Sequence, residues 1–184
     1  MSYLILVLGV ALWAGAHLFK RVAPARREAM GDAAKGVVSL LLVGSIVLMV
    51  IGYRGAEFVP VWQPPAFFTH LNNLLMLLAV YLFLPAYALK TAAARAMRHP
   101  MLIGVKTWAL AHLLVKGDLA SIILFGGILA WAVVSVIVIN RAGPRGHLPP
   151  KAGPVKEVAA VVIALALFAG IGWLHQWLGP WPYG

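Results

Sequence analysis

Two segments of the sequence place a histidine four residues after a tryptophan inside an apolar stretch. Trp13 and His17 lie in WAGAHL, and Trp108 and His112 lie in WALAHL. An ionisable side chain at membrane depth costs about 2.5 to 3.5 kcal/mol on insertion scales, so it normally faces the bundle interior and has a partner there. An imidazole can ligate a metal, relay a proton or hydrogen-bond to a neighbouring helix. We predict that His17 and His112 carry the chemistry of this chain, with these three roles open.

The composition restricts which metal two such histidines could hold. The chain has no cysteine, which excludes iron–sulfur clusters, zinc–thiolate sites and thiolate-ligated haem. A zinc hydrolase needs three or four ligands, and the five carboxylates all lie near the ends of apolar stretches. Haem iron needs only one or two axial histidines and an apolar slot with small residues. Small residues that could form such a slot are Gly15, Ala16, Gly104, Ala109, Ala111, Gly126 and Gly127.

The other four histidines are weaker candidates. His70 lies near the start of the third apolar stretch, three residues before Asn73, where it could hydrogen-bond across helices. His99 directly precedes Pro100 and occupies the N-cap position of the fourth stretch. We retain His70 and His99 as second choices for ligation. His147 and His175 are expected to be solvated or interfacial.

The elements that must position these histidines are membrane helices. The sequence is 62% apolar, has a mean hydropathy of +0.91 and is only 11% charged, which does not fit a soluble core. A span of the bilayer needs about 17 to 25 apolar residues. Six stretches qualify, at about 3–19, 37–53, 67–89, 101–117, 119–140 and 157–178. We predict an all-α, polytopic membrane helical bundle that forms a single domain over residues 1–184.

Basic residues are concentrated in alternate loops. The first, third and fifth loops hold 12 of the 15 Lys and Arg residues. Because cytoplasmic loops retain Lys and Arg, this pattern predicts six spans with both termini on the outer side. The aromatic residues near the ends of spans are typical of an outer interfacial belt, and they are Trp62, Trp173, Trp177, Trp181 and Tyr183. The net charge of +10 is therefore attributed to topology in a lipid bilayer and not to nucleic acid binding.

The two tryptophan–histidine segments agree at five of six residues. If this similarity reflects a repeat, spans one to three and four to six form a 3+3 inverted repeat, and such repeats bind ligands near the membrane midplane. Chance similarity in an Ala- and Leu-rich chain is the alternative.

Three charged residues lie close to the second segment. Lys106 and Lys116 could serve haem propionates or could extend to the interfaces as lysines commonly do. Asp118 follows Gly117 and could cap the fifth span. Alternatively, Asp118 could pair with a histidine or Lys116 at the rim of the site. We favour the cap.

Longer motifs resemble those of a known family. They are AHLFKRVAPARREAMGD, IGYRG, VPVWQPPAFFTHLNNLLMLLA and RHPMLIGVKTWALAHLLVKGDLASIILFGGILAWAV, and with them the chain closely resembles the NnrU family of bacterial membrane proteins over almost its whole length. The resemblance implies an inner-membrane protein needed to produce active nitrite and nitric oxide reductases in denitrification. It also implies contact with those reductases or with their assembly factors.

The resemblance extends to plant 15-cis-zeta-carotene isomerase, which shares the domain and uses a histidine-ligated haem b for a cis-to-trans isomerisation. Carried over to this chain, it implies that His17 and His112 are axial ligands of haem b and that an apolar small molecule is bound. Two classes of function remain open: a haem-dependent protein, either an isomerase or a redox or nitric oxide responsive factor, and a cofactor-free assembly or transport component. Whether the chain is an enzyme is open.

Overall fold

The computed structural model describes residues 1–146, 148, 150–179 and 181–183, and helices dominate them. The helices are α1 (Ser2–Val22), α2 (Pro24–Ala29), α3 (Ala33–Gly55), α4 (Phe68–Phe83), α5 (Pro85–Leu89), α6 (Ala92–Ala96), α7 (Pro100–Val115), α8 (Leu119–Arg141) and α9 (Pro154–Leu178). The predicted class, a helical membrane bundle, is confirmed.

Five helical segments are long and apolar enough to cross a membrane: α1, α3, the segment Phe68–Leu89, α8 and α9. The fourth predicted span is shorter than expected, because α7 ends at Val115 and not at residue 117. Its 16 residues extend about 24 Å at a rise of about 1.5 Å per residue. The third predicted span is interrupted at Leu84, since Pro85 lacks the N–H that would continue α4.

The helices pack as two compact units that interleave along the chain. Unit 1 consists of residues 1–63 and 116–141, and unit 2 consists of residues 64–115 and 142–184. Spans one, two and five are therefore in unit 1, and spans three, four and six are in unit 2. This grouping does not follow the two halves of the chain on which the predicted 3+3 repeat was based.

Close helix contacts in unit 1 depend on glycine. A Cβ on Gly52 would lie 2.7 Å from the Cα of Leu6, and a Cβ on Gly9 would lie 2.8 Å from the backbone nitrogen of Met49. Residue numbers thus rise along α1 as they fall along α3, so these helices are antiparallel. Gly127 of α8 packs against Val10, and four residues later Trp131 meets Trp13, so α8 runs parallel to α1.

Two loops of unit 1 are joined by backbone hydrogen bonds. The backbone N–H of Val61 donates to the Gly117 carbonyl at 2.8 Å, and that of Leu119 donates to the Val59 carbonyl at 2.9 Å. These bonds flank an antiparallel bridge between Pro60 and Asp118. The loop after α3 and the turn before α8 therefore lie at the same end of unit 1.

Unit 2 is built around α4. A Cβ on Gly104 would lie 2.9 Å from the Ala79 carbonyl oxygen, so the beginning of α7 packs against the later part of α4 in antiparallel fashion. At the end of unit 2 where α9 begins, the Glu157 carboxylate accepts the Ala92 N–H at 2.8 Å. The guanidinium of Arg145 donates to the Met97 carbonyl at 2.8 Å and also reaches the Arg95 carbonyl. The third and fifth loops are thereby held together.

Candidate functional site

His17 has a defined orientation on α1. Its Nδ1 lies 3.0 Å from the backbone carbonyl oxygen of Trp13, one turn earlier. A carbonyl only accepts hydrogen bonds, so Nδ1 carries the proton and donates it. In the neutral imidazole the lone pair is then on Nε2. A hydrogen bond of this kind fixes the tautomer and the ring orientation of histidines that ligate metals.

A second tryptophan, from α8, encloses His17 within unit 1. The ring centroid of His17 lies 4.2 Å from that of Trp13 and 4.6 Å from that of Trp131. The two indoles are 5.5 Å apart in an edge-to-face arrangement. We call Trp13, His17 and Trp131 the His17 cluster. Trp131 was not among the residues predicted from the sequence.

Both indole N–H groups of the His17 cluster are buried. Within the described part of the chain, neither Trp13 Nε1 nor Trp131 Nε1 has a hydrogen-bond partner. A buried donor without an acceptor costs about 1 to 3 kcal/mol, and native proteins contain few of them. The cluster therefore offers two donors and one imidazole lone pair, which is a set of groups suited to binding a ligand.

His112 repeats the local geometry of His17 in unit 2. Its Nδ1 lies 2.9 Å from the Trp108 carbonyl oxygen, and the two rings are 4.9 Å apart. Here too Nδ1 carries the proton, because the carbonyl only accepts. Each unit thus contains one half-buried histidine whose Nδ1–H is held by the carbonyl of a tryptophan one turn earlier.

The remaining predicted residues are not held in this way. His70 is exposed on α4, and Asn73, not His70, makes the contact in that region by donating to the Tyr183 carbonyl at 3.2 Å. His99 is half-buried directly before α7, in the predicted N-cap position, and His175 is exposed on α9. His147 lies outside the described residues. Lys106 is six residues before His112 on one helix, so it projects about 120° away from that histidine.

The predicted small-residue slot is used largely for helix packing. Gly104 allows the approach of α4 and α7, and Gly127 allows the approach of α8 and α1. Ala109 and Ala111 are fully buried and Ala16 is nearly so. Only Gly15 and Gly126 face open space, since a Cβ there would meet nothing within 4 Å. The assignment of Gly104 and Gly127 to a cofactor slot is therefore replaced by a role in packing.

Asp118 is buried and caps α8. One carboxylate oxygen accepts the backbone N–H of Ser121 at 2.9 Å, and the other accepts the Ser121 hydroxyl at 2.6 Å. The Ser121 hydroxyl oxygen also lies 2.8 Å from the Tyr53 hydroxyl of α3. The capping role that we favoured is the one observed, and among the described residues Asp118 forms no ion pair with Lys116.

The aromatic residues at the chain's end line a groove that the sequence did not predict. It has a volume of about 420 Å³ and is lined by Phe168, Ala169, Trp173, Gln176, Trp181 and Tyr183. The Tyr183 hydroxyl donates to the Phe168 carbonyl at 2.7 Å, which folds the end of the chain back onto α9. Burial raises the pKa of Tyr183, so this hydroxyl remains a donor at neutral pH. The sequence signal nearest to this groove was the set of aromatic residues near the ends of spans, which predicted an interfacial belt.

Comparisons with known proteins identify a family but no individual relative. No group of three or more His, Cys, Asp or Glu side chains that could hold a metal ion occurs in the described ranges. Searches of curated proteins and of solved structures found no match. The model of the NnrU protein family matches residues 5–182. Because this match covers nearly the whole chain, the chain belongs to the NnrU family.

Proposed function

We propose that the chain supports denitrification, in the production or activity of nitrite and nitric oxide reductases, as a membrane protein that binds haem b through His17 and His112. The observation that supports this proposal is the paired geometry of the two histidines. Each donates Nδ1–H to the carbonyl of a tryptophan one turn earlier, so Nε2 would be the nitrogen that holds the iron.

Haem bound in this way would supply a redox centre, a binding site for a diatomic gas or a Lewis acid for isomerisation. The chain's own contribution is to hold each imidazole in one tautomer and to keep water away from His17 with the rings of Trp13 and Trp131. His70, which is exposed on α4, and His99, directly before α7, remain second choices. Lys106 projects about 120° away from His112 on the same helix, so the proposal gives it no contact with the haem.

The visible spectrum of the purified protein tests haem binding. Protein expressed with added haem should show a Soret band, and His17→Ala and His112→Ala should each remove or shift it while the protein still inserts. His175→Ala is the matched control, because that histidine is exposed on α9. Wild-type protein without an absorbing cofactor would reject haem binding and favour the cofactor-free assembly or transport alternative.

The spin state of the iron distinguishes one shared haem from separate sites. If His17 and His112 ligate the same iron, the wild type is six-coordinate and low-spin, and either Ala variant becomes high-spin. If each histidine binds its own haem, each variant loses about half of the bound haem and the remainder keeps its spectrum. Nitrite and nitric oxide reductase activities in a deletion strain complemented with each variant then link the cofactor to denitrification.

We further propose that both termini face the periplasm from the inner membrane. The parallel orientation of α1 and α8 in unit 1 supports six spans with both termini on one side, and the Lys and Arg residues of the first, third and fifth loops favour the periplasm as that side. Between α1 and α8 the chain crosses the membrane back along α3. The α8 helix can therefore run parallel to α1 only if the Phe68–Leu89 segment and α7 both cross the membrane, or if neither of them crosses it. Since Phe68–Leu89 is long enough to cross, the 16-residue α7 crosses as well, which gives six spans.

Reporter fusions test the topology. Fusions after Ala96 and after Gly143 should report the cytoplasm, and fusions after Glu57 and after Gly184 the periplasm. A cytoplasmic signal after Gly184 from a correctly inserted protein would show that α7 does not cross.

A further inference from the structure

The two buried indole N–H groups of the His17 cluster are polar groups that histidine ligation does not use. The side chain of Trp131 is only 7% exposed, and neither indole nitrogen has an acceptor among the residues the structure describes. In the hydrocarbon region no water is at hand to pair with such a donor. A ligand with hydrogen-bond acceptors would supply the partner that these donors lack.

The position of these donors along their helices restricts the charge of that ligand. Trp13 is close to the middle of the 21-residue α1, and Trp131 is close to the middle of the 23-residue α8. A charged acceptor at the centre of a span is unfavourable unless a cation pairs with it, and the His17 cluster contains no Lys or Arg. The acceptor is therefore a neutral oxygen, and a carboxylate such as a haem propionate does not fit.

The ring arrangement restricts the shape of the ligand. Aromatic rings prefer edge-to-face or offset contacts, and the three rings of the cluster are already tilted against one another by 44°, 58° and 79°. His17 and Trp13 are only half-buried, so they form the accessible edge of the cluster. A flat conjugated ring can contact that edge, and because the indole N–H of Trp13 is buried, its ring must turn for that N–H to reach the ligand.

We propose that the His17 cluster binds the carbonyl oxygen of a lipid-soluble quinone, with the indole N–H groups of Trp13 and Trp131 as donors. Quinones combine a flat ring, neutral carbonyl oxygens and an apolar tail, which are the three properties required above. The inference goes beyond the proposed function, because it concerns the two indole donors beside His17 and holds with or without haem. It names the class of small molecule that this site takes.

Nuclear magnetic resonance of the indole N–H groups tests the proposal directly. The protein is labelled with ¹⁵N-tryptophan in lipid nanodiscs, and the probe is decylubiquinone. Two indole resonances, assigned by their absence in Trp13→Phe and Trp131→Phe, should move downfield as the probe is added. Decylbenzene, an apolar molecule without a carbonyl, should not move them. Equal shifts with both probes would overturn the proposal.

The Phe variants separate a ligand-binding donor from a structural one. Each should weaken decylubiquinone binding about 3- to 10-fold, as expected for one lost hydrogen bond. Without the probe each should lower the unfolding temperature only as far as the smaller ring leaves a gap in packing, because the N–H that is removed has no partner. Trp173→Phe, at an exposed position of unit 2, should change neither property. A clear drop in unfolding temperature with unchanged binding would overturn the proposal.

The same measurements distinguish this inference from haem binding. Titrations are made on haem-free and on haem-loaded protein, and the Soret band is recorded in parallel. Colourless protein that responds to decylubiquinone upholds the quinone site and rejects the haem ligands. Protein that binds haem but shows no indole shift in either form upholds the haem ligands and rejects the quinone site.

Discussion

In unit 1 the loops at one end are fastened by backbone hydrogen bonds, whereas in unit 2 the loops at the end where α9 begins are fastened by charged side chains. Segment 59–62 pairs with segment 117–119, and the buried Asp118 caps α8 beside this pairing. In unit 2 the exposed contacts of Arg145 and Glu157 perform the corresponding role. Exposed charged contacts contribute little and are screened by salt. Unit 1 is thus expected to have the more rigid loop end and unit 2 the more adjustable one.

The largest effects should come from the glycines that allow close helix packing in each unit. Gly52→Ala places a Cβ against the backbone of Leu6, and Gly104→Ala places one 2.9 Å from the Ala79 carbonyl oxygen. Overpacking of this kind typically lowers the free energy of unfolding by about 1 to 3 kcal/mol. We expect Gly52→Ala to be the more damaging, because its neighbour is closer.

Unfolding by sodium dodecyl sulfate in mixed micelles measures this difference. Gly44→Ala is the control on the same helix as Gly52, since a Cβ there meets nothing within 4 Å. Equal stability of Gly52→Ala and Gly44→Ala would contradict the packing described for unit 1.

Removal of the Asp118 cap should have an intermediate effect. Asp118→Ala loses both acceptors for Ser121 and should lower the free energy of unfolding by about 0.5 to 2 kcal/mol. Asp118→Asn keeps one acceptor oxygen and should lose less. Both variants should retain the wild-type visible spectrum and reductase-supporting activity, apart from any fall in abundance. A normally abundant Asp118→Asn protein with a shifted spectrum or lost activity would place the carboxylate at the functional site instead.

Loss of the side-chain hydrogen bonds that join the loops of unit 2 should have the smallest effect on stability. Arg145→Ala removes the donor to the carbonyls of Arg95 and Met97 and should lower the global free energy of unfolding by less than about 1 kcal/mol. Its local effect should be faster amide hydrogen exchange in α6 and the turn that follows it. Lys151→Ala, at an exposed position of the same loop, serves as the control. Unchanged exchange in Arg145→Ala would mean that the loop is held by other contacts.

Local features of the candidate site could be predicted from the sequence, and long-range ones could not. The Trp–His spacing predicted that His17 and His112 would each lie beside a tryptophan of the same helix, because residues four apart on a helix are neighbours. Asp118 was predicted as a cap from the helix break before it. Trp131 is 114 residues from His17, so no local pattern could join them. The sequence offered His70 as a residue that could hydrogen-bond across helices, and in that region the structure shows Asn73 donating to the Tyr183 carbonyl.

Most of the fold could likewise be predicted from local features of the sequence. Apolar length located the spans, and Pro100 marked the beginning of α7. Pro85 was the missed signal for the interruption of the third span. Gly104 and Gly127 were misassigned because a sequence does not show whether a glycine faces a cofactor or another helix. Two predictions stay predictions: that residues 1–184 form one domain, and that the two halves of the chain are repeats.

The interleaved order of the two units has a consequence for biosynthesis. Unit 1 lacks α8 until residue 141 has been made, although α1 and α3 are complete at residue 55. At about 5 to 20 residues per second, Trp131 is synthesised roughly 6 to 23 s after His17. During that interval α8 is not yet present to cover the imidazole. If the His17 cluster takes a lipid-borne ligand as proposed, we expect loading to be easiest on the nascent chain.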